Sequence, residues 1–412
     1  MPQYPEPFQK TILFSSYLCN PFSVSEANTA FEWLKILLTR FNIVLFTTDE
    51  EERSIKQYYN NSLPANLTII SFTDRYPFKS KSIIKNTVRL GYFYFNYKIK
   101  GYLRKHPEVI AQCDILFQKS PESFRYYTSL TAFGKPVYIG PLSGGLKPPG
   151  QLKGYFRREH SLYKLRNLDP LIMKLPVYKR QFSKIKKVLI SFDYVEELLP
   201  PQFLTRKKVL INAGIDCAPY QQARNDTAII NILHIARLTR YKGTELLIRA
   251  LNNIKETNFV LNIVGRGEEQ EHLEALVKEY GLSDKIIFHG YKPVDEVKQF
   301  YQSASLFCLP TLTESAGNVF FEAMASGLPV ITMDNGGPKY ICPDQGAIKI
   351  PVTSEEGIIS DLQQSITLLM NDPKKREEMG KFNRAYCREN YDWSVLKKKI
   401  LDFFDEEMSN LS

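Results

Sequence analysis

The stretch TLTESAGNVFFEAMASGLPVITMDNGGP, residues 311–338, places a loop, a short helix and an apolar strand in succession. It follows SASLFCLP, residues 303–310, which is typical of a helix end that leads into a buried strand. Apolar residues then repeat at helical spacing for about two turns until Gly327 and Pro329 end the helix. Open parallel sheets bind ligands at the carboxyl ends of their strands. The stretch therefore predicts a ligand-binding loop in an α/β fold.

Two glutamates flank the predicted start of this helix. Glu314 lies in the loop, Glu322 lies in the helix, and Gly317 and Asn318 stand between them. The first N–H groups of a helix lack intrahelical partners and carry the positive end of its dipole, so they can hold a phosphate or a sugar oxygen. Carboxylates can accept hydrogen bonds from sugar hydroxyls or from a ribose diol. Two glutamates at this spacing are also common as solvated helix charges, so the pair alone does not identify a site.

A second strand, loop and helix lie upstream in NILHIARLTRYKGTELLIRALNNI, residues 231–254. The loop holds Arg237 and Lys242, and the helix is predicted to begin with Thr244 as its N-cap. Two cations beside free helix N–H groups suit a diphosphate, and arginine can bind two of its oxygens at once. Ordinary surface charge is the alternative for either cation alone.

Further strands alternate with helical patterns through the second half of the chain. They are predicted in NFVLNIV, KIIFHGY, PVITMD and AIKIPV, which begin at residues 258, 285, 329 and 347. The Gly265-Arg266-Gly267 turn after the first of these lacks the third glycine of a dinucleotide fingerprint. The alternation predicts a parallel, doubly wound sheet.

The first half begins in the same way, with the strand TILFSSYLC, the helix ANTAFEWLKILLTRF and the strand NIVLFTT, which together span residues 11–48. A chain of 412 residues suggests two or three domains. The linker is predicted in residues 211–228, so that one domain covers residues 1–212 and the second covers residues 213–390. Residues 391–412 are predicted to form an amphipathic helix with Trp393, Leu396, Ile400 and Phe403 or Phe404 facing inward.

Cysteine and histidine usage narrows the class of protein. The six cysteines are scattered without a C-x-x-C pair, which predicts reduced core residues in a cytoplasmic protein. The five histidines lack metal-ligand spacing and no Asp-x-Asp occurs, so no metal site is predicted. No leader-like segment and no run of about 18 apolar residues appears, which predicts a soluble or peripheral protein.

Positive charge is concentrated in residues 75–190, which hold 24 Lys or Arg and 5 Asp or Glu. Residues 76–105 and 152–187 interleave these bases with aromatic and aliphatic residues. Such a pattern is typical of helices that bind anionic membranes, with aromatic side chains at the headgroup level, here Tyr92, Phe93, Tyr94, Phe95 and Tyr97. A core helix with a basic solvated face is the main alternative. A nucleic-acid groove is not favoured, because no recognised nucleic-acid motif accompanies the charge.

Taken in order, these motifs make residues 228–352 resemble the nucleotide-binding domain of the family 4 retaining glycosyltransferases, also called glycosyl transferases group 1. That family has the GT-B fold, an α/β architecture of two Rossmann-like, doubly wound domains that face each other across a cleft. The resemblance implies that Arg237 and Lys242 clamp the donor diphosphate, that Glu314 lies near the donor sugar, and that Glu322 lies near the ribose. It implies the further donor-binding residues Gly265, Arg266, Ser315, Gly317, Asn318 and Val319, and a last helix that crosses back to the first domain.

The first half resembles one branch of this family. Residues 19–33 are similar to a C-x-P-x-x-G-S-E-x-G-x-G-W motif, although Val24, Asn28 and Ala30 replace its glycines. Residues 117–145 are similar to an H-Q-x-x-P-x-x-x-R segment followed by G-P-x-G-G, with Phe117 at the position of a histidine that contacts the donor sugar in many relatives. The resemblance implies the acceptor-side residues Glu26, Arg125, Gly144 and Gly145. A structural ion pair is the alternative role of Glu26 and Arg125.

The function implied is transfer of a sugar, with retention and without a metal, from a UDP- or GDP-sugar to a glycan or lipid-linked acceptor in cell-envelope polysaccharide or lipopolysaccharide synthesis. The donor is a co-substrate and no cofactor is expected. The predicted location is cytoplasmic, with a peripheral position on the inner face of the membrane left open, and nucleic acid is not an expected partner. Phe117 and the lost glycines motivate a noncatalytic sugar-nucleotide-binding or scaffold subunit as the alternative, and a GT-B epimerase as a second one.

Overall fold

A computed structural model describes residues 10–23, 26–74, 90–146, 148–152, 154–156, 171, 174–220 and 229–411. The chain divides into two compact units, each an α/β layer structure around one parallel sheet. The first unit comprises Met1–Gly145, Leu168–Asn212 and Leu396–Ser412, and the second comprises Leu146–Asn167 and Ala213–Val395. The division between residues 212 and 213 falls at the predicted linker.

The sheet of the first unit has seven parallel strands in the order β3-β2-β1-β4-β5-β6-β7. The strands are β1 (Thr11–Ser16), β2 (Asn42–Thr48), β3 (Leu67–Phe72), β4 (Ile115–Ser120), β5 (Val137–Leu142), β6 (Ile185–Ile190) and β7 (Lys207–Val209). Most residues of the central strands are buried, as expected for a parallel sheet covered on both faces. This accounts for the continuous apolar runs in the sequence.

The helices of the first unit are α1 (Glu26–Leu38), α2 (Asp49–Tyr58), α3 (Leu90–Lys105), α4 (Pro107–Ala111) and α5 (Pro176–Lys184). Helix α1 buries an apolar stripe that includes Phe31, Leu34 and Leu37, and Glu26 complements the dipole in its first turn. The predicted strand, crossover helix and second strand at the start of the chain are therefore confirmed.

The sheet of the second unit has six parallel strands in the order β10-β9-β8-β11-β12-β13. These strands are β8 (Ile230–Ile235), β9 (Phe259–Val264), β10 (Ile286–Gly290), β11 (Leu306–Leu309), β12 (Val330–Met333) and β13 (Ala347–Ile350). The predicted parallel, doubly wound sheet is confirmed. The helices are α6 (Thr244–Asn252), α7 (Gln270–Glu279), α8 (Val294–Ser303), α9 (Asn318–Ala325), α10 (Gly336–Ile341), α11 (Glu355–Asn371) and α12 (Pro373–Asn390).

In each sheet the strand order reverses direction once, between β1 and β4 in the first and between β8 and β11 in the second. Loops at such a switch point diverge to opposite faces and leave a crevice at the carboxyl ends of the strands, where ligands bind. In the second unit these are the loops that carry Arg237 and Lys242 after β8 and Glu314 after β11. The topology thus brings the two motifs to one edge of one sheet.

Residues 146–167 correct the predicted domain limits, because they belong to the second unit and not to the first. Leu152, Tyr155 and Phe156 are buried in the apolar core of the second unit. The Tyr155 carbonyl oxygen also accepts a hydrogen bond from Arg240, whose guanidinium stacks on the Tyr155 ring. Burial of these three side chains accounts for the assignment. Residues 157–167 lie outside the described part of the chain.

The last helix, α13 (Trp393–Ser409), changes units along its length. Leu396, Ile400, Phe403 and Phe404 are buried, as the apolar spacing predicts, whereas Trp393 is only partly buried. In the first unit the Tyr138 hydroxyl donates to the buried Glu407 carboxylate at 2.6 Å. Burial alone would raise the pKa of Glu407, but hydrogen bonds from Lys187 and Tyr138 hold it below the usual value. Residues 396–412 therefore group with the first unit.

Two further predictions concern cysteines and the basic region. All six cysteines are free and buried, which confirms their prediction as core residues. On α3, Tyr92 and Phe95 are buried and the Tyr92 hydroxyl donates to Gln118 at 2.7 Å, so their prediction as membrane-facing residues is wrong. Tyr97 is exposed. Residues 76–89 of the basic region, and most of residues 157–173, lie outside the described part of the chain.

Among the residues that the structure describes, none of the helices has both the length and the apolar character required to cross a bilayer.

Candidate functional site

The loop after β8 is fixed by backbone hydrogen bonds to its neighbours. The Ala236 N–H donates to the Val264 carbonyl at 3.1 Å, and the Leu238 N–H donates to the Arg266 carbonyl at 3.0 Å. The loop ends in a 3₁₀ turn, Arg240–Lys242, and Gly243 is the N-cap of α6. Thr244 is therefore the first residue of the helix, which corrects its prediction as the N-cap.

The Thr244 side chain is engaged by a histidine that the sequence did not single out. His234 on β8 is fully buried, with Nδ1 2.9 Å from the Cys308 carbonyl oxygen and Nε2 2.9 Å from Thr244 Oγ1. A carbonyl only accepts, so Nδ1 carries the proton and Nε2 accepts from the threonine hydroxyl. Burial lowers the pKa of His234 to about 4, with the Lys242 charge acting in the same direction. A neutral imidazole thus joins β8, β11 and the start of α6 beneath the loop.

The two predicted phosphate-binding cations differ in their surroundings. Lys242 forms an ion pair with Glu314, and both side chains are largely buried, with 14% and 16% of their surface exposed. Arg237 is 72% exposed, and its Nη2 lies 3.9 Å from Glu268 Oε2. The structure therefore brings Lys242 and Glu314 into contact and presents Arg237 to solvent beside them in the same loop.

The loop after β11 is held by the turn that follows β12. The Asn335 side chain donates to the Leu312 carbonyl at 2.7 Å, and the Gly337 N–H donates to the Glu314 carbonyl at 2.8 Å. A side chain at Gly337 would collide with the Ser315 carbonyl oxygen. The Gly-Gly-Pro turn therefore needs its second glycine because it packs directly on the backbone that carries Glu314 and Ser315.

The helix after this loop is α9, with Gly317 as its N-cap and Asn318 and Val319 as its first residues. Its eight residues confirm the predicted length of about two turns. A glycine at the N-cap has no side chain to satisfy the first N–H groups of the helix, so these donors remain directed at the loop. This start of a helix lies next in the chain to Glu314 and Ser315.

Glu322 lies further along α9 and accepts a hydrogen bond from the Tyr301 hydroxyl at 2.7 Å. The Tyr220 ring packs beside Tyr301, with the two ring centroids 6.1 Å apart. Burial raises the pKa of Glu322 above its usual value, although the Tyr301 hydroxyl and the Lys298 charge oppose the shift. The sequence showed the glutamate but gave no sign of its tyrosine partner.

Gly265 and Arg266 form the turn after β9. Gly265 has φ +135°, its N–H donates to the Gly290 carbonyl at 2.8 Å, and a Cβ there would collide with the Ala236 carbonyl. The Arg266 guanidinium lies against Gly290 at the end of β10. Glycine is thus required at position 265 for close packing between neighbouring loops.

Three side chains beside this region, Glu245, Glu269 and His272, place possible metal ligands within 4.8 Å of one another. An Arg240 Nη1 atom lies 3.1 Å from Glu245 and 3.3 Å from Glu269. The guanidinium therefore already pairs with both carboxylates, and a metal ion would compete with it for them.

The predicted acceptor-side residues lie in the first unit. Glu26 Oε1 accepts from Ser120 Oγ at 2.7 Å and from the Glu122 N–H at 3.1 Å, and the Gly144 N–H donates to the Glu122 carbonyl at 3.4 Å. Gly145 follows with φ +107°. Glu26 and Gly144 thus meet on one loop, the loop after β4.

Arg125 lies on the same loop, and its carbonyl accepts a hydrogen bond from the Tyr178 hydroxyl. The loop also holds a buried ion pair that the sequence did not reveal, with Lys119 Nζ 2.6 Å from Glu122 Oε1. Burial raises the pKa of Glu122, the Lys119 charge opposes this shift, and the Glu26 charge reinforces it.

Phe117 corrects an expectation about the donor sugar. Its side chain is fully buried in the first unit, and its ring centroid lies 5.5 Å from that of Phe14, 5.8 Å from that of Trp33 and 5.2 Å from that of Phe404. Position 117 is therefore a core position on β4, and the effect of the missing histidine on turnover or donor identity stays a prediction.

Comparison with known proteins finds one matching family and several partial relatives. Residues 221–386 match the model of the family described as glycosyl transferases group 1. The uncharacterized glycosyltransferase MJ1607 of Methanocaldococcus jannaschii is 41% identical over 176 residues, which are 42% of this chain and 44% of that protein. The putative colanic acid biosynthesis glycosyltransferase WcaL of Escherichia coli is 29% identical over 188 residues, or 43% and 46% of the two chains. The match thus spans less than half the length of these relatives.

Solved structures resemble the whole chain. Sucrose-phosphate synthase from Thermosynechococcus elongatus has a TM-score of 0.68 at 16% identity and covers 97% of this chain and 100% of its own. Anabaena Alr3699/HepE in complex with UDP has a TM-score of 0.65 at 15% identity, with 96% and 100% covered. At such identities the likeness shows the fold alone, and it confirms the predicted GT-B fold class of two Rossmann-like domains.

Proposed function

Because residues 221–386 match the model of the group 1 glycosyltransferases, we propose that this chain transfers a sugar from a nucleoside diphosphate sugar to a glycan or lipid-linked acceptor. The observation that carries the proposal is the Lys242–Glu314 pair at the switch point of the second sheet, next to the start of α9. A cation for a diphosphate, a carboxylate for sugar hydroxyls and free helix N–H groups lie on two adjacent loops.

The charges of this site suit the departure of a diphosphate. When the bond to the sugar breaks, negative charge grows on the leaving phosphate. Groups that stabilise this charge more strongly in the transition state than in the ground state accelerate the reaction. Lys242, Arg237 and the start of α9 are placed to supply that stabilisation. Two cations and a helix start provide charge of the sign that a metal ion supplies in other transferases, which supports the proposal that no metal is required.

Glu314 and Glu322 take different roles in this proposal. Glu314 is held by Lys242 and orients the sugar, while Glu322 binds the ribose. A carboxylate engaged in an ion pair is a weak nucleophile, so we assign neither glutamate to covalent catalysis. Retention of configuration rests on the resemblance to family 4 alone.

The donor and the acceptor are proposed only as classes. One solved neighbour is named as a complex with UDP, and several relatives are named GDP-mannose-dependent mannosyltransferases acting on a phosphatidylinositol monomannoside, so UDP- and GDP-sugars are the donors to test first. The colanic acid relative and the phosphatidylinositol monomannoside relatives support a glycan or lipid-linked acceptor of the cell envelope.

A thermal-shift screen with UDP, GDP, ADP and their common sugar conjugates, without added metal, tests the proposal. A ligand that binds only the folded state stabilises it by about 2.7 kcal/mol at 100 times its dissociation constant. We expect one nucleotide series to raise the midpoint of the wild type and Glu322→Gln to remove most of that shift. Glu356→Gln, an exposed first-turn glutamate of α11, is the matched control and should keep the shift. A wild type that responds to none of these ligands would contradict the proposal.

We also propose that the protein binds peripherally to an anionic membrane surface. Residues 90–107 and 174–192, which include α3 and α5, contain no acidic residue. The first segment holds the exposed Tyr97 and the second the exposed Leu175. The two segments also hold exposed cations, namely Lys98, Arg104, Lys105, Lys174, Lys179, Arg180 and Lys184. The two helices are connected through Tyr127, whose ring lies 6.0 Å from Phe93 and 6.3 Å from Tyr178. A basic surface that carries exposed apolar side chains suits binding to a bilayer of anionic lipid.

Co-sedimentation with vesicles tests this location. Phosphatidylcholine vesicles with about 30 mol% phosphatidylglycerol should retain the wild type, because each basic residue near such a surface contributes about 1 kcal/mol, and added salt should release it. Lys98→Glu with Arg104→Glu should reduce retention at least about 10-fold, whereas Lys285→Glu in the second unit should not. Equal recovery with pure phosphatidylcholine would argue against an anionic membrane site.

A further inference from the structure

Two buried cysteines of the second unit lie side by side, although 170 residues separate them in the chain. The sulfur atoms of Cys217 and Cys387 are 3.9 Å apart, and the two side chains are 3% and 0% exposed. The Cys217 thiol donates to the Cys387 sulfur, and the Cys387 thiol donates to the Phe321 carbonyl at 3.5 Å. Both cysteines are free. The pair is therefore a reduced dithiol whose sulfur atoms are already in contact.

The pair lies close to two of the places where the chain passes between the units. Cys217 comes shortly after residues 212 and 213, where the chain enters the second unit. Cys387 is in the last turn of α12, shortly before residues 395 and 396, where the chain returns to the first unit. A covalent bond between the sulfur atoms would therefore join residues 213–217, the linker segment, to the helix that precedes the return.

The linker segment is an irregular stretch at the surface of the second unit. The Ile215 N–H donates to the Tyr391 carbonyl at 3.0 Å, and the Trp393 N–H donates to the Ile215 carbonyl at 3.0 Å. The residues directly before and after Cys217 are exposed, so only this side chain of the three is turned inward. Irregular surface segments open locally at a lower free-energy cost than the core does. Local opening therefore brings Cys217 to solvent while the sheet stays folded.

The two thiols are suited to different steps of an oxidation. The hydrogen bond with Cys217 raises the pKa of the Cys387 thiol, and burial acts in the same direction, so this thiol stays protonated. Cys217 is the thiol that local opening exposes, and a small oxidant reaches an exposed thiol first. Cys387 lies against it and can resolve the oxidised sulfur.

We propose that Cys217 and Cys387 form a reversible oxidation site, at which a hydroperoxide converts the pair to a disulfide that fastens the linker segment to α12. Hydrogen peroxide transfers one oxygen atom to the Cys217 sulfur, which becomes a sulfenic acid, and the rest of the peroxide leaves as water. The Cys387 sulfur then attacks the Cys217 sulfur and loses its proton, the S–O bond breaks, and a second water leaves. Two thiols are thus oxidised while one peroxide is reduced to two waters.

The bond requires a small movement of the two side chains. Sulfur atoms in a disulfide are about 2.05 Å apart, so those of the pair have to approach by about 1.9 Å. Rotation about the Cα–Cβ bonds moves the sulfur atoms without moving the backbone, and the irregular linker segment can adjust as well. The hydrogen bond from Cys387 to the Phe321 carbonyl is lost, and it is a weak one because a thiol is a weak donor.

Thiol counting and peptide mapping of the peroxide-treated protein test the inference. The folded wild type is treated with a small molar excess of hydrogen peroxide, then denatured in an alkylating reagent and mapped without reductant. We expect the number of alkylated thiols to fall by two from the six free cysteines of the reduced chain, with one disulfide between the Cys217 and Cys387 peptides. A thiol reductant should restore all six.

Cysteine variants control for the position of the link. Cys217→Ser and Cys387→Ser should each form no disulfide under the same treatment. Cys342→Ser removes another buried cysteine of the second unit and should form the link as the wild type does. Circular dichroism before and after treatment confirms that each protein stays folded.

Amide hydrogen exchange gives a second readout, which a chance cross-link in unfolded chains would not move. The Cys217 N–H donates to Asp392 Oδ2 at 3.1 Å, and the Ile215 N–H donates to the Tyr391 carbonyl. A covalent tie to α12 should suppress local opening and slow exchange at both N–H groups by about 10-fold or more. Peroxide should leave these rates unchanged in Cys217→Ser.

A folded wild type that keeps all six thiols after treatment, or that links other cysteines, would overturn the inference. A Cys217–Cys387 link that forms only after unfolding in urea would overturn it as well. The test uses no nucleotide, so either result leaves the proposed sugar transfer to its own experiment.

Discussion

Replacing Lys242 with methionine should lower kcat by about 10²- to 10³-fold and should also weaken binding of the donor. The ammonium group lies on the loop after β8 and contacts Glu314 in a largely buried pair, so it is already placed before the donor arrives. Preorganised charge of this kind acts where negative charge grows, on the leaving diphosphate, and it does so with little reorganisation. Steady-state release of the nucleoside diphosphate measures the effect.

A second substitution, at Glu314, separates the effect of Lys242 on donor binding from its effect on kcat. Removing Lys242 alone leaves a buried negative charge beside the place where a diphosphate binds, so part of the loss comes from repulsion. Lys242→Met combined with Glu314→Gln should recover donor binding but not kcat. Lys285→Met, whose ammonium donates to the Lys255 and Thr257 carbonyls elsewhere in the second unit, should behave as the wild type. Wild-type turnover in Lys242→Met would remove this residue from the reaction.

The sheet of the second unit could be predicted from the sequence, because each apolar run that was predicted as a strand forms one strand of the sheet. The runs that became β8 and β11 predict adjacent ligand loops, since the carboxyl ends of parallel strands share an edge. The contact between Lys242 and Glu314, 72 residues apart, follows from that edge. Periodicity and topology together therefore predict which loops meet, even when no single motif does.

Residues that depend on distant packing could not be predicted. Tyr155 and Phe156 follow β5 of the first sheet in the chain, yet their side chains complete the core of the second unit. His234 lies in a largely apolar strand and Lys119 lies in the polar end of β4, and nothing nearby in the sequence predicts their partners. A polar residue in a buried strand is a sign of a hydrogen-bonded network, but its partners come from tertiary structure.

Phe117 shows the opposite error, in which a motif suggested a ligand contact and the fold assigned a core position. All six residues of β4 are buried, so a side chain on either face of this strand lies in the core. The neighbouring Gln118 is likewise buried and accepts from Tyr92. Motif similarity alone does not distinguish these cases.

Below neutral pH the second unit should lose stability through His234. The imidazole has an ordinary pKa of 6.5 when the chain is unfolded and about 4 when it is buried between Cys308 and Thr244. The unfolded chain therefore binds more protons between these values, and the free energy of unfolding falls as pH drops from 6.5 to 4. The full difference is about 3 kcal/mol, and it is present above pH 6.5.

Urea unfolding of the wild type and of His234→Asn, followed from pH 4 to pH 8, isolates this contribution. Asparagine can still donate to the Cys308 carbonyl but does not titrate, so the variant should be less stable than the wild type at pH 8 and should lose less stability on acidification. Carboxylates and the partly buried His289 act in both proteins and cancel in the difference. His272→Asn, at a more exposed position, should keep the wild-type slope. Parallel pH profiles for the wild type and His234→Asn would show that folding does not lower the pKa of His234, and would argue against its burial as the neutral link between β8, β11 and α6.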